Sequence, residues 1–124
     1  MDEQEINDYR TKARRKYDSG KSLYDNGFYS DSVTQFFYAM LLTAKALLLK
    51  KDIETRKQKG ILNEFYENYV LKENFDQTSY KNFARTQSLR QEVDYEARDT
   101  ITKITAKQKM KHCIDFLNEC EKYF

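Results

Sequence analysis

The stretch Tyr29-Ser-Asp-Ser-Val-Thr-Gln-Phe-Phe-Tyr-Ala-Met-Leu-Leu-Thr-Ala-Lys-Ala-Leu-Leu-Leu49 carries the strongest structural signal in the sequence. Ser30 or Asp31 is suited to cap a helix, which is predicted to continue to about Lys50. Its apolar residues form a stripe wide enough to contact two or more neighbours: Val33, Phe36, Phe37, Met40, Leu41, Ala44, Leu47 and Leu48. Gln35 and Lys45 interrupt the apolar run, so we interpret it as a central core helix and not as a membrane span.

The composition of the whole chain also favours an all-α fold. Proline is absent and glycine occurs three times in 124 residues, whereas a sandwich or barrel needs many tight turns. The length suits one domain that covers residues 1–124. We therefore predict an up-and-down bundle of four to five helices.

The other helices follow from periodicity and capping signals. A first helix is predicted over about 3–26, with its stop at Asn26-Gly27, and a third over about 58–73. A fourth is predicted over about 79–101, capped by Thr78 or Ser79, and a fifth opens at Thr105 with Gln108 completing a capping box. The inward residues of the third and fifth helices are Ile61, Leu62, Phe65, Tyr69, Val70, Met110, Cys113, Ile114, Leu117, Cys120 and Phe124.

Gly20 lies within the first helix, where glycine costs roughly 1 kcal/mol relative to alanine. It marks either a loose spot or a close approach of two helices, and the sequence leaves both open.

The fourth helix has apolar residues on two sides. Leu89 and Val93 lie off the stripe that runs through Tyr80, Phe83, Ala84, Gln87, Arg90, Asp94 and Ala97. Such a helix is either sandwiched between two others or forms the seam of a homodimer.

The charges are abundant and nearly balanced, with a net charge of +2 and 34% charged residues. Basic residues nevertheless crowd the first helix and the segment before the third: Arg10, Lys12, Arg14, Arg15, Lys16, Lys21, Lys50, Lys51, Arg56, Lys57 and Lys59. They form either solvated helix faces or a surface for RNA, a nucleotide or an acidic partner.

The remaining signals concern compartment and chemistry. Cys113 and Cys120 fall about 10 Å apart on one helix, too far for a disulfide, and suit the core of a protein in a reducing cytosol. The acidic first five residues do not resemble a signal peptide, so we expect a cytoplasmic protein without a membrane span. No metal-ligand spacing, phosphate loop or nucleophile elbow is present, and we expect neither metal nor cofactor.

Three motifs resemble the HEPN superfamily (higher eukaryotes and prokaryotes nucleotide-binding), in its small stand-alone prokaryotic branch. They are Tyr38-Ala39-Met40, Ala44-Lys45-Ala46-Leu47-Leu48, and Arg90 followed by Asp94-Tyr95. The resemblance implies a helical bundle that dimerises and works with a partner or RNA. It also implies, as a partner, a small nucleotidyltransferase in a toxin–antitoxin-like system.

The ribonuclease branch of that superfamily places a histidine four to six residues after an arginine on one helix face. Here Tyr95 follows Arg90 at that spacing, and a phenol with a pKa near 10 is a poor base at neutral pH. The family often has a histidine before the Lys-Gly pair that opens the third helix, where this chain has Gln58 before Lys59-Gly60. The single histidine, His112, is expected at the surface. These departures weaken the nuclease interpretation.

The leading hypothesis is a non-catalytic dimeric module associated with a partner, a nucleotide or RNA. The alternatives are a metal-independent ribonuclease toxin with a degenerate motif and a nucleotide-binding subunit. Candidate ligand- or partner-binding residues are Arg90, Asp94, Tyr95 and Lys59, and candidate dimer residues are Leu89 and Val93. Arg90 and Asp94 are i,i+4 neighbours, so they form either a structural ion pair or a pocket for a phosphate or carboxylate.

Overall fold

A computed structural model describes residues 2–124, and Met1 lies outside them. These described residues form five α-helices in chain order: α1 (Glu3–Asp25), α2 (Tyr29–Lys50), α3 (Gln58–Phe65), α4 (Gln77–Tyr95) and α5 (Lys103–Glu121). A π-helical segment, Tyr66–Leu71, continues α3. No β-strand occurs between residues 2 and 124. The predicted all-α bundle is confirmed.

The central helix is α2, which packs against α1, α3, α4 and α5. All eight residues of its predicted stripe are buried. Thr43 is buried among them, and its hydroxyl donates to the carbonyl of Ala39 at 2.8 Å, so the core helix satisfies its own polar side chain. The helix α2 is long and apolar enough to cross a membrane. However, 72% of its most apolar stretch is buried inside the bundle, as in a core helix.

A tight turn returns the chain from α1 to α2. Gly27 has φ +84°, the left-handed conformation that glycine adopts without strain. The Phe28 amide donates to the Leu23 carbonyl at 2.9 Å, and the Gly27 amide donates to the Tyr24 carbonyl at 3.0 Å. These two bonds form a Schellman motif, so the predicted helix stop is confirmed.

Gly20 lies where α1 crosses α2. A Cβ atom on Gly20 would lie 2.5 Å from Cε1 and 2.7 Å from Cδ1 of Phe36, and Phe36 is fully buried. The glycine therefore marks a close approach of two helices, and the loose-spot alternative is wrong.

An aromatic cluster joins the other helices to α2. Phe65, Phe75, Phe83 and Phe116 are almost completely buried, with ring centroids 4.8 Å apart for Phe83 and Phe116 and 4.9 Å for Phe65 and Phe75. The phenol of Tyr69 donates to the Leu47 carbonyl and ties the π-helical segment to α2. Phe116 is fully buried although the predicted stripe of the fifth helix does not include it.

The boundaries of α4 differ from the prediction at both ends. Asp76 caps α4, because its carboxylate accepts the Ser79 amide at 2.8 Å, so the helix begins before the predicted cap. At the other end α4 stops at Tyr95 and not near residue 101, since Glu96 has an extended backbone.

The helices α2 and α5 also begin earlier than predicted. Thr102 caps α5 by accepting the Thr105 amide at 3.2 Å, so Thr105 belongs to the first turn and is not the cap. No side chain in the described part of the chain caps α2, which begins at Tyr29. Ser30 instead donates to Asp99 at 2.7 Å and holds the connection between α4 and α5 against the start of α2.

Candidate functional site

Arg90 lies in the last half of α4 and reaches across to α2. Its Nη2 atom donates to the phenol oxygen of Tyr38 at 2.8 Å. The guanidinium carbon also lies 5.1 Å from the ring centroid of Tyr38 and 5.4 Å from that of Phe37, within cation–π range. Only 15% of the Arg90 side chain is exposed. The arginine is therefore held in a defined orientation by two aromatic rings of α2.

Asp94 provides the second partner of Arg90, one turn further along α4. The Arg90 Nη1 atom lies 3.5 Å from Asp94 Oδ2, and the aspartate side chain is 55% exposed. The Arg90 Nε atom is buried and has no hydrogen-bond partner within residues 2–124. The predicted pairing of Arg90 with Asp94 is present, but at 3.5 Å it is longer than a good charge-assisted hydrogen bond.

Tyr38 is the site residue that the sequence-based candidates omit. Its phenol oxygen accepts a hydrogen bond from Arg90. The ammonium of Lys16, on α1, lies 6.0 Å from the centroid of the Tyr38 ring. We call Lys16, Tyr38, Arg90 and Asp94 the Tyr38 site. The signal for Tyr38 in the sequence is the Tyr38-Ala39-Met40 motif, which marks the family resemblance and also places a phenol on the central helix.

The other candidates lie apart from this contact. Tyr95 is 91% exposed, and its side chain makes no hydrogen bond or ring contact with any residue from 2 to 124. Lys59 is exposed in the first turn of α3. Leu89 and Val93 are half-buried on α4. The structure brings together Arg90 and Asp94, while Tyr95 projects into solvent from the last residue of the same helix.

His112 is not the surface histidine that was expected. It is half-buried on α5, and its Nδ1 atom is buried with no partner among the described residues. Burial lowers the pKa of His112, and the cations Lys109, Lys111 and Arg85 lower it further, against an opposing effect of Asp115. Arg90 is not among these charged neighbours. The expectation failed because His112 neighbours the buried stripe of α5 at Lys109 and Cys113.

The thiols and carboxylates supply no further reactive centre in the described chain. Cys113 and Cys120 are free and buried, and burial raises the pKa of both thiols well above the usual range. Between residues 2 and 124, no group of three or more histidine, cysteine, aspartate or glutamate side chains is placed to hold a metal ion. The Tyr38 site thus offers a cation and a phenol, which suit recognition of an anionic group.

The fold and this site define an all-α domain with a recessed arginine joining two of its helices. Residues 6–123 match the family model described as the HEPN domain. The chain belongs to the HEPN family.

Curated relatives come from two archaea. "Putative toxin MJ0142" of Methanocaldococcus jannaschii is 30% identical over 112 residues, which are 90% of this chain and 76% of that protein. "Putative toxin MJ0605" of the same organism is 29% identical over 83 residues, covering 67% of this chain and 62% of that protein. "UPF0332 protein PH1297" of Pyrococcus horikoshii is 42% identical over 48 residues, covering 39% of this chain and 34% of that protein.

Proposed function

We propose that this chain is a non-catalytic, dimeric HEPN module that binds an anionic group of a partner protein at the Tyr38 site. The partner is a small nucleotidyltransferase of a toxin–antitoxin-like pair, and the complex works in the cytoplasm. The observation that carries the proposal is the fixed orientation of Arg90 between Tyr38 and Asp94, with no histidine of residues 2–124 beside it.

The contacts of Tyr38 explain how an anion is recognised. Because the Tyr38 oxygen accepts from Arg90, its own hydroxyl proton remains free to donate to an incoming phosphate or carboxylate oxygen. Arg90 and Lys16 both place positive charge close to the Tyr38 ring, at 5.1 Å and 6.0 Å from its centroid. Holding the guanidinium in place before binding reduces the entropy lost on association.

The same geometry argues against general-base catalysis at this site. Cleavage of RNA through its 2′-hydroxyl needs a group that accepts a proton near neutral pH. The groups closest to Arg90 are the phenol of Tyr38, two aromatic rings and the Asp94 carboxylate. A carboxylate is a weak base for an alcohol, which holds its proton far more tightly than a carboxylic acid does.

The dimer is proposed to form through α4. Leu89 and Val93 are half-buried there and lie on the same helix as Arg90. Pairing through α4 would bring two copies of the Tyr38 site into one assembly, so that a single partner could contact both.

The proposal is tested by binding to a small nucleotidyltransferase, sought first in the open reading frame next to the one that encodes this chain. Calorimetry should show Arg90→Ala weakening the complex by about 1–3 kcal/mol, the range for a charge-assisted hydrogen bond. Arg98→Ala is the matched control, because Arg98 is an exposed arginine eight positions on, beyond the end of α4. Equal affinity for both variants would contradict the proposal.

A ribonuclease toxin remains the second candidate, favoured by the names of two relatives. It requires that the Tyr38 site itself cleave RNA. Release of RNA fragments by the pure protein, lost in Arg90→Ala, would favour it over the partner-binding proposal.

A further inference from the structure

A surface groove lies between the first half of α1 and the end of α5, and its volume is about 440 Å³. We call it the arginine groove, and it is lined by Asn7, Arg10, Thr11, Arg14, Arg15 and Glu121. Asn7, Thr11 and Arg14 follow one another at helical spacing, so they share one face of α1. The lining sets three guanidinium groups against one carboxylate, which leaves an excess of positive charge in the groove.

Arg10 is held in a fixed position at the floor of this groove. Its Nη2 atom donates to Glu121 Oε2 at 2.8 Å, and its guanidinium carbon lies 4.1 Å from the ring centroid of Phe124. Its Nε and Nη1 atoms form no hydrogen bond with residues 2–124. The guanidinium has five N–H donors, so an oriented cation with donors to spare faces an incoming acceptor.

The other two arginines of the groove have no partner in the described chain. Arg14 and Arg15 are exposed, and their side chains form no ion pair or hydrogen bond with residues 2–124. Arg14 also follows Arg10 by four residues, and like charges at this spacing destabilise a helix. The two side chains therefore add no polar contact to the bundle, and their donors are available to another molecule.

We propose that the arginine groove is a docking site for a short acidic segment of another protein, separate from the Tyr38 site. The planar fork of an arginine matches the two oxygens of a carboxylate, so aspartate and glutamate side chains suit these donors. The groove lies against α5 through the contact of Arg10 with Glu121. The Tyr38 site instead uses Lys16 of α1 against Tyr38 of α2.

The extent and lining of the groove favour a peptide over a nucleic acid. Five of the seven residues 10–16 are basic, but Asp8 and Asp18 bound this run, which spans about 9 Å of helix. Single-stranded nucleic acids are bound by longer basic grooves with aromatic rings for stacking, and no aromatic residue of the described chain lines this groove. The amide of Asn7 and the hydroxyl of Thr11 can instead pair with a peptide backbone.

The test is a titration of the isotope-labelled full chain, followed by amide NMR spectra. The probe is a capped hexapeptide with four alternating glutamates and aspartates between two glycines. The same peptide with glutamine and asparagine is the neutral control. The acidic peptide should shift amides of residues 7–15 and of the last turn of α5, and the neutral peptide should not. Binding should weaken as salt is added, because the groups are exposed.

Three results of this titration would overturn the proposal. The first is the absence of any shift at millimolar acidic peptide. The second is a set of shifts outside the arginine groove. The third is tighter binding of hexauridylate than of the acidic peptide at the groove, which would identify a nucleic-acid surface.

Matched variants separate the groove from a general attraction between opposite charges. Arg14→Gln and Arg15→Gln should each weaken binding of the acidic peptide by roughly two- to fivefold, the range for an exposed ion pair. Lys12→Gln removes the same charge from an exposed position of α1 that does not line the groove, and it should preserve the affinity. Equal weakening by all three variants, or none by Arg14→Gln and Arg15→Gln, would contradict the proposal.

Discussion

Arg90 donates to the phenol oxygen of Tyr38 at 2.8 Å across 52 residues of sequence. This one bond joins α4 to the central helix α2, and it links two of the motifs by which the sequence resembles its family. The ring of Tyr38 and the neighbouring ring of Phe37 also lie within cation–π range of the guanidinium. The arginine is consequently both a helix-to-helix contact and the oriented cation of the candidate site.

Tyr38→Phe tests the hydrogen bond without removing the ring. It should lower the free energy of unfolding by about 1.5–3 kcal/mol, the range for a hydrogen bond to a charged group, measured by denaturant melts. Partner binding should weaken as well, because Arg90 loses its orientation and the phenol proton is gone. Tyr80→Phe is the control: it deletes a phenol bond to the Leu62 carbonyl, 3.2 Å long, away from the Tyr38 site. If Tyr80→Phe weakens partner binding as much as Tyr38→Phe does, Tyr38 has no special role in binding.

Gly20→Ala tests the close contact between α1 and α2. Alanine improves helix propensity by up to about 1 kcal/mol, but overpacking a core costs typically 1–3 kcal/mol. Because the added Cβ would lie 2.5 Å from a fully buried ring, we expect a net loss of stability. Gly60→Ala is the control, since its nearest neighbour would be Thr55 at 3.8 Å. If thermal melts show that Gly20→Ala is more stable than Gly60→Ala, the close contact between α1 and α2 at Gly20 is disproved.

Most of the fold could be predicted from the sequence, because the apolar periodicity of the helices and the signals that end them are local. The stripe of α2 and the turn at Gly27 needed no knowledge of distant residues. The end of α4 was missed because residues 96–102 contain no proline or glycine, and a contact between Ser30 and Asp99 holds the segment out of the helix.

Only part of the candidate site could be predicted from the sequence, for a similar reason. The i,i+4 spacing of Arg90 and Asp94 predicts their pairing, whereas the partnership of Arg90 with Tyr38 depends on how two helices pack. The buried setting of Lys109 and His112 was likewise invisible, because a charged residue within an apolar stripe resembles an interruption of the stripe.

The stability of the protein should depend on pH through His112. Its pKa is lowered in the folded protein by burial and by Lys109, so the unfolded chain binds the proton more readily. The free energy of unfolding therefore decreases as the pH falls from the usual pKa of histidine toward the lower pKa of His112 in the folded protein. Denaturant melts at about pH 7.5 and about pH 5.5 should show this loss, and it should be smaller in His112→Gln. An identical pH dependence in the variant would show that other groups cause it.

Leu89→Asp tests the proposed dimer. Sedimentation equilibrium of the wild type at micromolar concentration should give twice 14.9 kDa, and the variant should give the monomer mass. A charge buried in an interface without a partner costs several kcal/mol, which is enough to separate the subunits. Leu71→Asp is the control because Leu71 is 61% exposed outside α4, and it should leave the mass unchanged. A dimer that survives Leu89→Asp would place the interface elsewhere.

The central claim is that Arg90 recognises an anion and does not cleave RNA. The most direct measurement is an assay of bulk RNA cleavage by the purified wild-type protein beside Arg90→Ala, without metal ions. We predict that both proteins leave the RNA intact over the same time, because no histidine among residues 2–124 lies beside the guanidinium to act as a base near neutral pH. Robust cleavage by the wild type that disappears in Arg90→Ala would contradict it and identify the protein as a ribonuclease.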